Sequence, residues 1–354
     1  MDMKRSYYED LRLFSTLPLS LWLAACAIGA LAAPFLFGNY LLYVFGYIAI
    51  NVIVAIGLNI LVGFTGQISL GHAGFFAIGA YATVLLANAG LPILLALPAA
   101  ALIAAAFGFL LGLPALRLEG PYLAVVTLGF GLAVENIFAK AAIFGGATGP
   151  AVPAFDVAFF PGFSREQNLY ALIVVIAFAA LLAVRNLMRT RTGRAFVAIR
   201  DSDVAAACAG VDLTWYKTLA FAVSAFFTGI AGGLFAFHLG QVDPTSFNLM
   251  LSILFLAMVV IGGVGSILGP VLGAVVISLL NLKLKGLKMA DFSEIPLFGP
   301  DIAAFLGRYF METGMANIQF IVYGAILVLI MLFEPLGLYG LWIRAKRYWR
   351  TWPL

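Results

Sequence analysis

Residues 185–217 read RNLMRTRTGRAFVAIRDSDVAAACAGVDLTWYK and carry Arg185, Arg189, Arg191, Arg194, Arg200 and Lys217. These six cations lie between two long apolar runs in a chain where charge is scarce. Short loops rich in Lys and Arg stay on the cytoplasmic face of a membrane, so this segment orients the runs on either side of it. Within it, Ala195, Phe196 and Ile199 form one apolar face flanked by Arg194 and Arg200. Ser202 stands where an N-cap belongs, a short helix follows over 204–209, and Gly210 supplies the C-terminal stop. Such an element, bounded by Gly193 and Gly210, reads as a docking surface for a soluble partner, or as a solvated basic loop that only sets topology.

Working outward, hydrophobic residues make up 64% of the 354-residue chain, charged residues 10%, and mean hydropathy is +1.07. Soluble domains carry about 25% charge. The fold class is therefore an all-α polytopic membrane protein, with 1–354 as a single transmembrane domain. The net charge of +4 and pI near 9.0 belong to membrane-flanking Lys and Arg. A nucleic-acid face would need a soluble basic surface. Cys26 falls in an apolar run and Cys208 in the basic loop, so a disulfide between them is not expected. The two cysteines and the two histidines, His72 and His238, stand far apart, which offers no metal-ligand spacing. No cluster of catalytic groups is evident either. The run at 17–37 is too long for a signal-peptide core and reads as a retained span.

On a ruler of about 20 apolar residues per crossing, about ten spans result: 17–37, 40–62, 70–88, 91–114, 121–140, 168–186, 217–239, 248–266, 267–283 and 318–337. An even number puts both termini on one side. Lys4, Arg5 and Arg12, the loop at 185–217, and Arg344, Lys346, Arg347 and Arg350 all make that side cytoplasmic, and Arg117 agrees. Lys283, Lys285, Lys288 and Arg308 fall on the other side, in a longer segment less bound by the rule. The stretches 141–167 and 284–316 are expected on the outer, periplasmic side. Gly265, Gly269 and Gly273 repeat every four residues, and Gly229, Gly232 and Gly233 cluster similarly. Both patterns suit close helix packing, with a thin wall beside a pathway as the alternative.

Residues 57–76 read GLNILVGFTGQISLGHAGFF. Gly63, Gly66, Gly71 and Gly74 surround Thr65, Gln67, Ser69 and His72, which is too polar for a lipid-facing helix. Broken backbone at membrane depth survives only inside protein or beside a wet cavity, so a discontinuous, re-entrant helix is expected here. Asn59, Gln67 and His72 then either line a translocation pathway or bind helices to one another. Glu135 and Asn136 lie within the fifth span, where an ionisable group is a functional candidate by default. Glu135 belongs either to a pathway or to a structural ion pair; Lys140, five residues on, is poorly placed to be its partner. Glu334 and Pro335 end the last span, and Trp342, Tyr348, Trp349 and Trp352 read as interfacial anchors.

The stretch GLNILVGFTGQISLGHAGFFAIGAY (57–81) resembles the signature of permease subunits of bacterial branched-chain amino-acid ABC importers. EGPYLAVVTLGF (119–130), GRAFVAIRDSDVAAACAGVD (193–212) and IGGVGSILGPVLGA (261–274) are similar to further blocks of that family. Length and the form of 193–212 look more like the LivM type than the shorter LivH type. In one departure, the Thr-Gly-Gly run common after the fifth span stands here as GGATGP (145–150), which bears on how the outer loop meets a binding protein. The resemblance implies a bacterial cytoplasmic (inner) membrane location. It implies a second permease subunit (LivH-type), two cytoplasmic ABC ATPases and a periplasmic solute-binding protein as partners. The coupling element would comprise Gly193, Arg194, Phe196, Ile199, Arg200, Ser202, Ala206 and Gly210.

The chain has no G-x-x-x-x-G-K-[ST] loop, and Gly-Lys occurs nowhere in it. ATP and its Mg would therefore be held by partner ATPases, with no cofactor bound by this chain. The expected function is alternating-access import of branched-chain (hydrophobic) amino acids, with a urea or amide permease as the alternative within the family. A self-contained secondary transporter or channel would need an intramembrane coupling-ion site, for which Glu135 is the one candidate. An intramembrane enzyme would need the catalytic cluster that is not seen.

Overall fold

The computed structural model describes residues 29–115, 118, 120–155, 164–286 and 337–351, with scattered positions between 324 and 334. The described elements are helical. They are α1 Asn39–Asn59, α2 His72–Asn88, α3 Ile93–Ala115, α4 Pro121–Lys140, α5 Arg165–Leu187, α6 Arg191–Asp201, α7 Asp203–Cys208, α8 Leu213–Leu239, α9 Leu249–Gly262, α10 Gly269–Gly286 and α11 Gly337–Thr351. α1 runs without interruption into a π-helical turn, Ile60–Phe64. The N-terminal segment 1–28, most of the expected 284–316 outer segment and most of the tenth span lie outside the described residues.

Among the described residues five helices are long and apolar enough to cross a membrane: Asn39–Phe64, Ile93–Pro114, Pro121–Lys140, Arg165–Leu187 and Leu213–Leu239. The others expected as spans are shorter. α2 has 17 residues and α9 has 14. At 1.5 Å per residue these reach about 25 and 21 Å, against a hydrocarbon core of about 30 Å. The nearly continuous hydropathy of 248–283 spans a turn. α9 stops at Gly262 and α10 starts at Gly269, and the expected boundary at 266 falls inside the reversal.

α8 is the hub. It packs most heavily on α3, then on α2 and α1, while α1 also packs on α5 and α10. Lipid tails are as apolar as Leu, so helices in a membrane gain from close van der Waals contact more than from hydrophobic burial. The sequence supplies that contact with small residues. A Cβ on Gly79 of α2 would overlap the Gly229 carbonyl of α8, and one on Gly232 would overlap the Phe76 carbonyl. Gly108 and Gly112 of α3 meet α8 at Phe221, Ala225 and Thr218 in the same way. Polar pairs add register. Asn51 Nδ2 donates to Ser278 Oγ at 2.9 Å, joining α1 to α10. Gln167 and Tyr170 of α5 donate to the carbonyls of Pro34 and Ala30 in the helical stretch 29–36.

The helices alternate in direction, which defines two ends. At one end lie the close of α1, the start of α2, the basic helices α6 and α7, and the α9–α10 turn. At the other, two short 3₁₀ turns follow α4, Ala142–Phe144 just before GGATGP and Gly146–Thr148 within it. Ala151 bridges Gln241, its carbonyl accepts from Asn88 Nδ2 at 3.0 Å, and Gly149 lies against the Val242 carbonyl. The expected outer segment thus caps the ends of α2 and α8.

Gly79→Val puts a branched side chain where the α8 backbone runs. We expect a loss of about 2–3 kcal/mol, read as a lower melting temperature in detergent. Gly129, on α4, has open space around its Cα, so Gly129→Ala is expected to leave melting unchanged or raise it by up to about 1 kcal/mol.

Candidate functional site

The basic segment folds from local rules. Thr190 caps α6 by accepting from the Gly193 N–H. A Cβ on Gly193 would overlap the Met188 backbone, so glycine lets α6 fold back tightly against the end of α5. Ser202 serves two helices: its N–H closes α6 on the Ala198 carbonyl at 3.0 Å, and its Oγ accepts from the Ala205 N–H at 3.2 Å to start α7. α7 ends in a Schellman turn. Val211 N–H donates to the Ala206 carbonyl and Gly210 N–H to the Ala207 carbonyl, with Gly210 at φ +82°. Lys217 of α8 pairs with Asp203, tying α7 to the bundle.

The two faces of this element have different owners. Gly193, Ala195, Phe196, Ile199 and Ala206 are buried against the chain's own helices, with Phe196 set edge-on to Tyr216. Arg194, Arg200, Ser202 and Gly210 are exposed. Val204 at 74% exposure, Trp215 at 53% and Val197 at 38% present an apolar surface outward, which the sequence reading did not single out.

The helix break seen in the sequence is present at 65–71, and it meets this element. The last carbonyls of a helix have no partner of their own. After the π turn, the Gly63 carbonyl accepts from Arg200 Nη1 at 2.8 Å. The Leu61 carbonyl accepts from Thr65 Oγ1 at 2.6 Å and from the Gln67 N–H at 3.0 Å. Asn59 clamps the α9–α10 turn from both sides. Its Nδ2 donates to the Ser266 carbonyl at 2.8 Å and its Oδ1 accepts from the Gly265 N–H at 3.1 Å. Gly265, at φ +76°, lies directly beside the Arg200 guanidinium, which occupies the space a side chain would need. It is a turn residue, not part of a helical small-residue stripe; Gly273 does pack helix to helix, against the Met258 carbonyl.

His72 begins α2 and is fully buried. Ser224 Oγ donates to the Gly57 carbonyl at 2.8 Å and lies 2.8 Å from His72 Nε2. The hydroxyl proton being committed, Nε2 carries hydrogen and donates to Ser224. Nδ1 lies 2.9 Å from Ser69 Oγ. This network joins α1, α2 and α8. Leu70 N–H donates to Thr127 Oγ1 on α4, and Ala73 N–H to Ser252 Oγ on α9. α4, α8 and α9 thus all hold the start of α2.

Gln67 is 8% exposed, and its Nε2 has no partner among the described residues. Glu135 and Asn136 stand apart from this cluster, eight and nine residues beyond Thr127, about 12 Å along α4. Glu135 is half-buried, and Asn136 is exposed and bonds its own Leu132 carbonyl at 2.9 Å. α4 buries only the stripe Leu123, Thr127, Val134 and Phe138, leaving Tyr122, Val125 and Ile137 facing outward. Among the described residues no group of His, Cys, Asp and Glu is arranged to hold a metal.

Residues 40–332 match the family model described as branched-chain amino acid transport system / permease component. The chain is 34% identical over 294 residues to the high-affinity branched-chain amino acid transport system permease protein LivM of Salmonella typhimurium, and equally so to that of Escherichia coli. Each match covers 76% of this chain and 63% of the relative, so under two thirds of the relatives' length is spanned. The ribose import permease protein RbsC of Haemophilus influenzae is 26% identical over 152 residues, 38% of this chain and 47% of its own. No solved structure matches the chain. The family model takes in the break, the basic helices and the α9–α10 turn together, and the chain belongs to the permease-component family of branched-chain amino acid transport systems.

Proposed function

We propose that the chain is the transmembrane permease subunit of an ATP-binding-cassette importer that moves branched-chain, hydrophobic amino acids across the bacterial inner membrane by alternating access. The observation that carries this reading is the Arg200–Gly63 bond, which fastens a surface helix to the broken end of a membrane helix. A push on α6 and α7 from the cytoplasm would displace the end of α1 and the α9–α10 turn with them. ATP-hydrolysing subunits supply the push. They dock on Val204, Trp215 and the exposed cations, while Phe196, Ile199 and Ala206 anchor the helices to this chain.

The topology proposed has about ten spans with both termini cytoplasmic. A second, LivH-type permease completes the pathway, and a periplasmic binding protein delivers solute at the outer end, where 141–155 caps α2 and α8. The α4 face bearing Glu135 and Asn136 lines the pathway, since the described residues leave most of the α4 surface uncovered. Asn59 and His72 hold the break that moves, and Gln67 lies beside them.

Two measurements test this. In the assembled transporter, Arg200→Gln removes a charge-assisted hydrogen bond of about 1.5–3 kcal/mol. Uptake should fall roughly 10- to 100-fold while ATP hydrolysis persists, with Arg200→Lys partly restoring it. Uptake at the unmodified rate in Arg200→Gln would remove the mechanical reading. Cys208 is exposed on α7. A membrane-impermeant maleimide should label it in inverted vesicles and not in intact cells, in a variant with Cys26 replaced by Ser. Labelling from outside would invert the topology and end the coupling reading.

A further inference from the structure

α11, Gly337–Thr351, lies beyond the residues matched by the family model. Its 15 residues GLYGLWIRAKRYWRT contain four cations, Arg344, Lys346, Arg347 and Arg350, and no acidic residue. At 100° per residue, Leu338, Leu341, Trp342, Ala345 and Tyr348 fall on one arc and the charges on the other. Leu338 packs on the bundle core. Beyond it, Leu341 is 47% exposed and Trp342 56%.

The helix begins at a defined level. A Cβ on Gly337 would lie 2.7 Å from Gly263 N and from the Ile261 carbonyl, so the first residue rests on the reversal between α9 and α10. That reversal is where apolar helices end, on the side that also carries the basic helices α6 and α7. Arg344 Nη1 reaches back to Glu334 Oε1 at 2.7 Å, which fixes the orientation of the helix while leaving Arg344 66% exposed. A helix this charged does not enter the hydrocarbon core, and one with this apolar arc does not stand free in water. The arrangement suits the plane of the membrane surface, with the apolar arc in the acyl boundary and the cations at the headgroups. The absence of acidic groups selects negatively charged headgroups.

We propose that α11 is a binding surface for anionic phospholipids of the leaflet on the basic side of the protein. The cations contact lipid phosphates, and Leu341, Trp342 and Ala345 sit among the upper acyl carbons. This inference is independent of what the protein transports.

The full chain, with Cys26 and Cys208 changed to Ser and Trp342→Cys carrying an environment-sensitive fluorophore, is reconstituted into phosphatidylcholine vesicles with and without phosphatidylglycerol. Blue-shifted emission, quenched by lipids brominated on the acyl chain, is expected with phosphatidylglycerol and should weaken in neutral vesicles and in high salt. In the anionic vesicles, Lys346→Gln with Arg350→Gln should lower the ratio of inserted to free helix roughly 30-fold. The lipid-composition arm uses the unaltered basic face, so a poorly folding variant does not leave the proposal untested. A label equally shielded in neutral and anionic vesicles, or one exposed to water in both, would overturn it. So would a label shielded only after partner subunits are added, which would make the face a protein interface.

Discussion

A helix that stops inside an apolar bundle leaves carbonyl and amide groups without water to bond, and each one left unmet costs several kcal/mol. The chain breaks at 65–71 under that constraint, and much of the surrounding structure answers it. Gly63 is met by Arg200, Leu61 by Thr65 and Gln67, Leu70 by Thr127, Ala73 by Ser252 and Gly57 by Ser224. These partners come from α4, α6, α8 and α9 as well as from the break itself. The break is therefore the point through which separate helices constrain one another.

The small-residue seams make those long-range bonds reachable. Ser224 can reach both Gly57 and His72 because α8 approaches α1 and α2 at glycine. A Cβ on Gly57 would lie 2.9 Å from Phe227 Cβ, and the crossing of Gly79 with Gly229 admits no side chain at all. A bulkier residue at either crossing would part the helices and unmake hydrogen bonds well away from the substitution. Packing and polar satisfaction are one property here: close approach brings the donors within range, and the bonds fix the register.

What the sequence revealed was what local chemistry controls. The Ser202 cap, the Gly210 stop, the apolar face at Phe196 and Ile199, and the break around Gly66–Gly71 each follow from neighbours within a few residues. Partnerships across the fold were hidden. Nothing in SLGH pointed to Ser224, and nothing near Asn59 pointed to Gly265 and Ser266, about 200 residues on. Small hydroxyls in apolar helices have no periodic signature, and only the crossings of the helices pair them. The four-residue glycine repeat misled for a related reason. Gly265 shares its spacing with Gly269 and Gly273, but a positive φ and a neighbouring guanidinium determine its role, and spacing cannot express either. Hydropathy placed a boundary at 266, inside the turn at 263–268, but counted the turn into the spans on either side, since Gly, Val, Ile and Leu around Ser266 are as apolar as the helices they join.

The burial of Phe196 and Ile199 bears on how motion passes through this end of the molecule. Had that apolar face pointed outward, α6 would belong mechanically to whatever docked on it and could move without the bundle. Instead the face is sunk against α8 and the π-helical turn at the end of α1. Apolar contact alone resists separation but permits sliding, because dispersion has no preferred direction. The guanidinium of Arg200 adds direction: its planar donors hold the Gly63 carbonyl while its bulk fills the gap beside Gly265. Sliding α6 along its groove would break that bond and take its side-chain partner from the carbonyl of the buried Gly63. The lower-cost motion carries α6, the end of α1 and the α9–α10 turn together, and the Asn59 clamp on Ser266 and Gly265 makes the last two a single body.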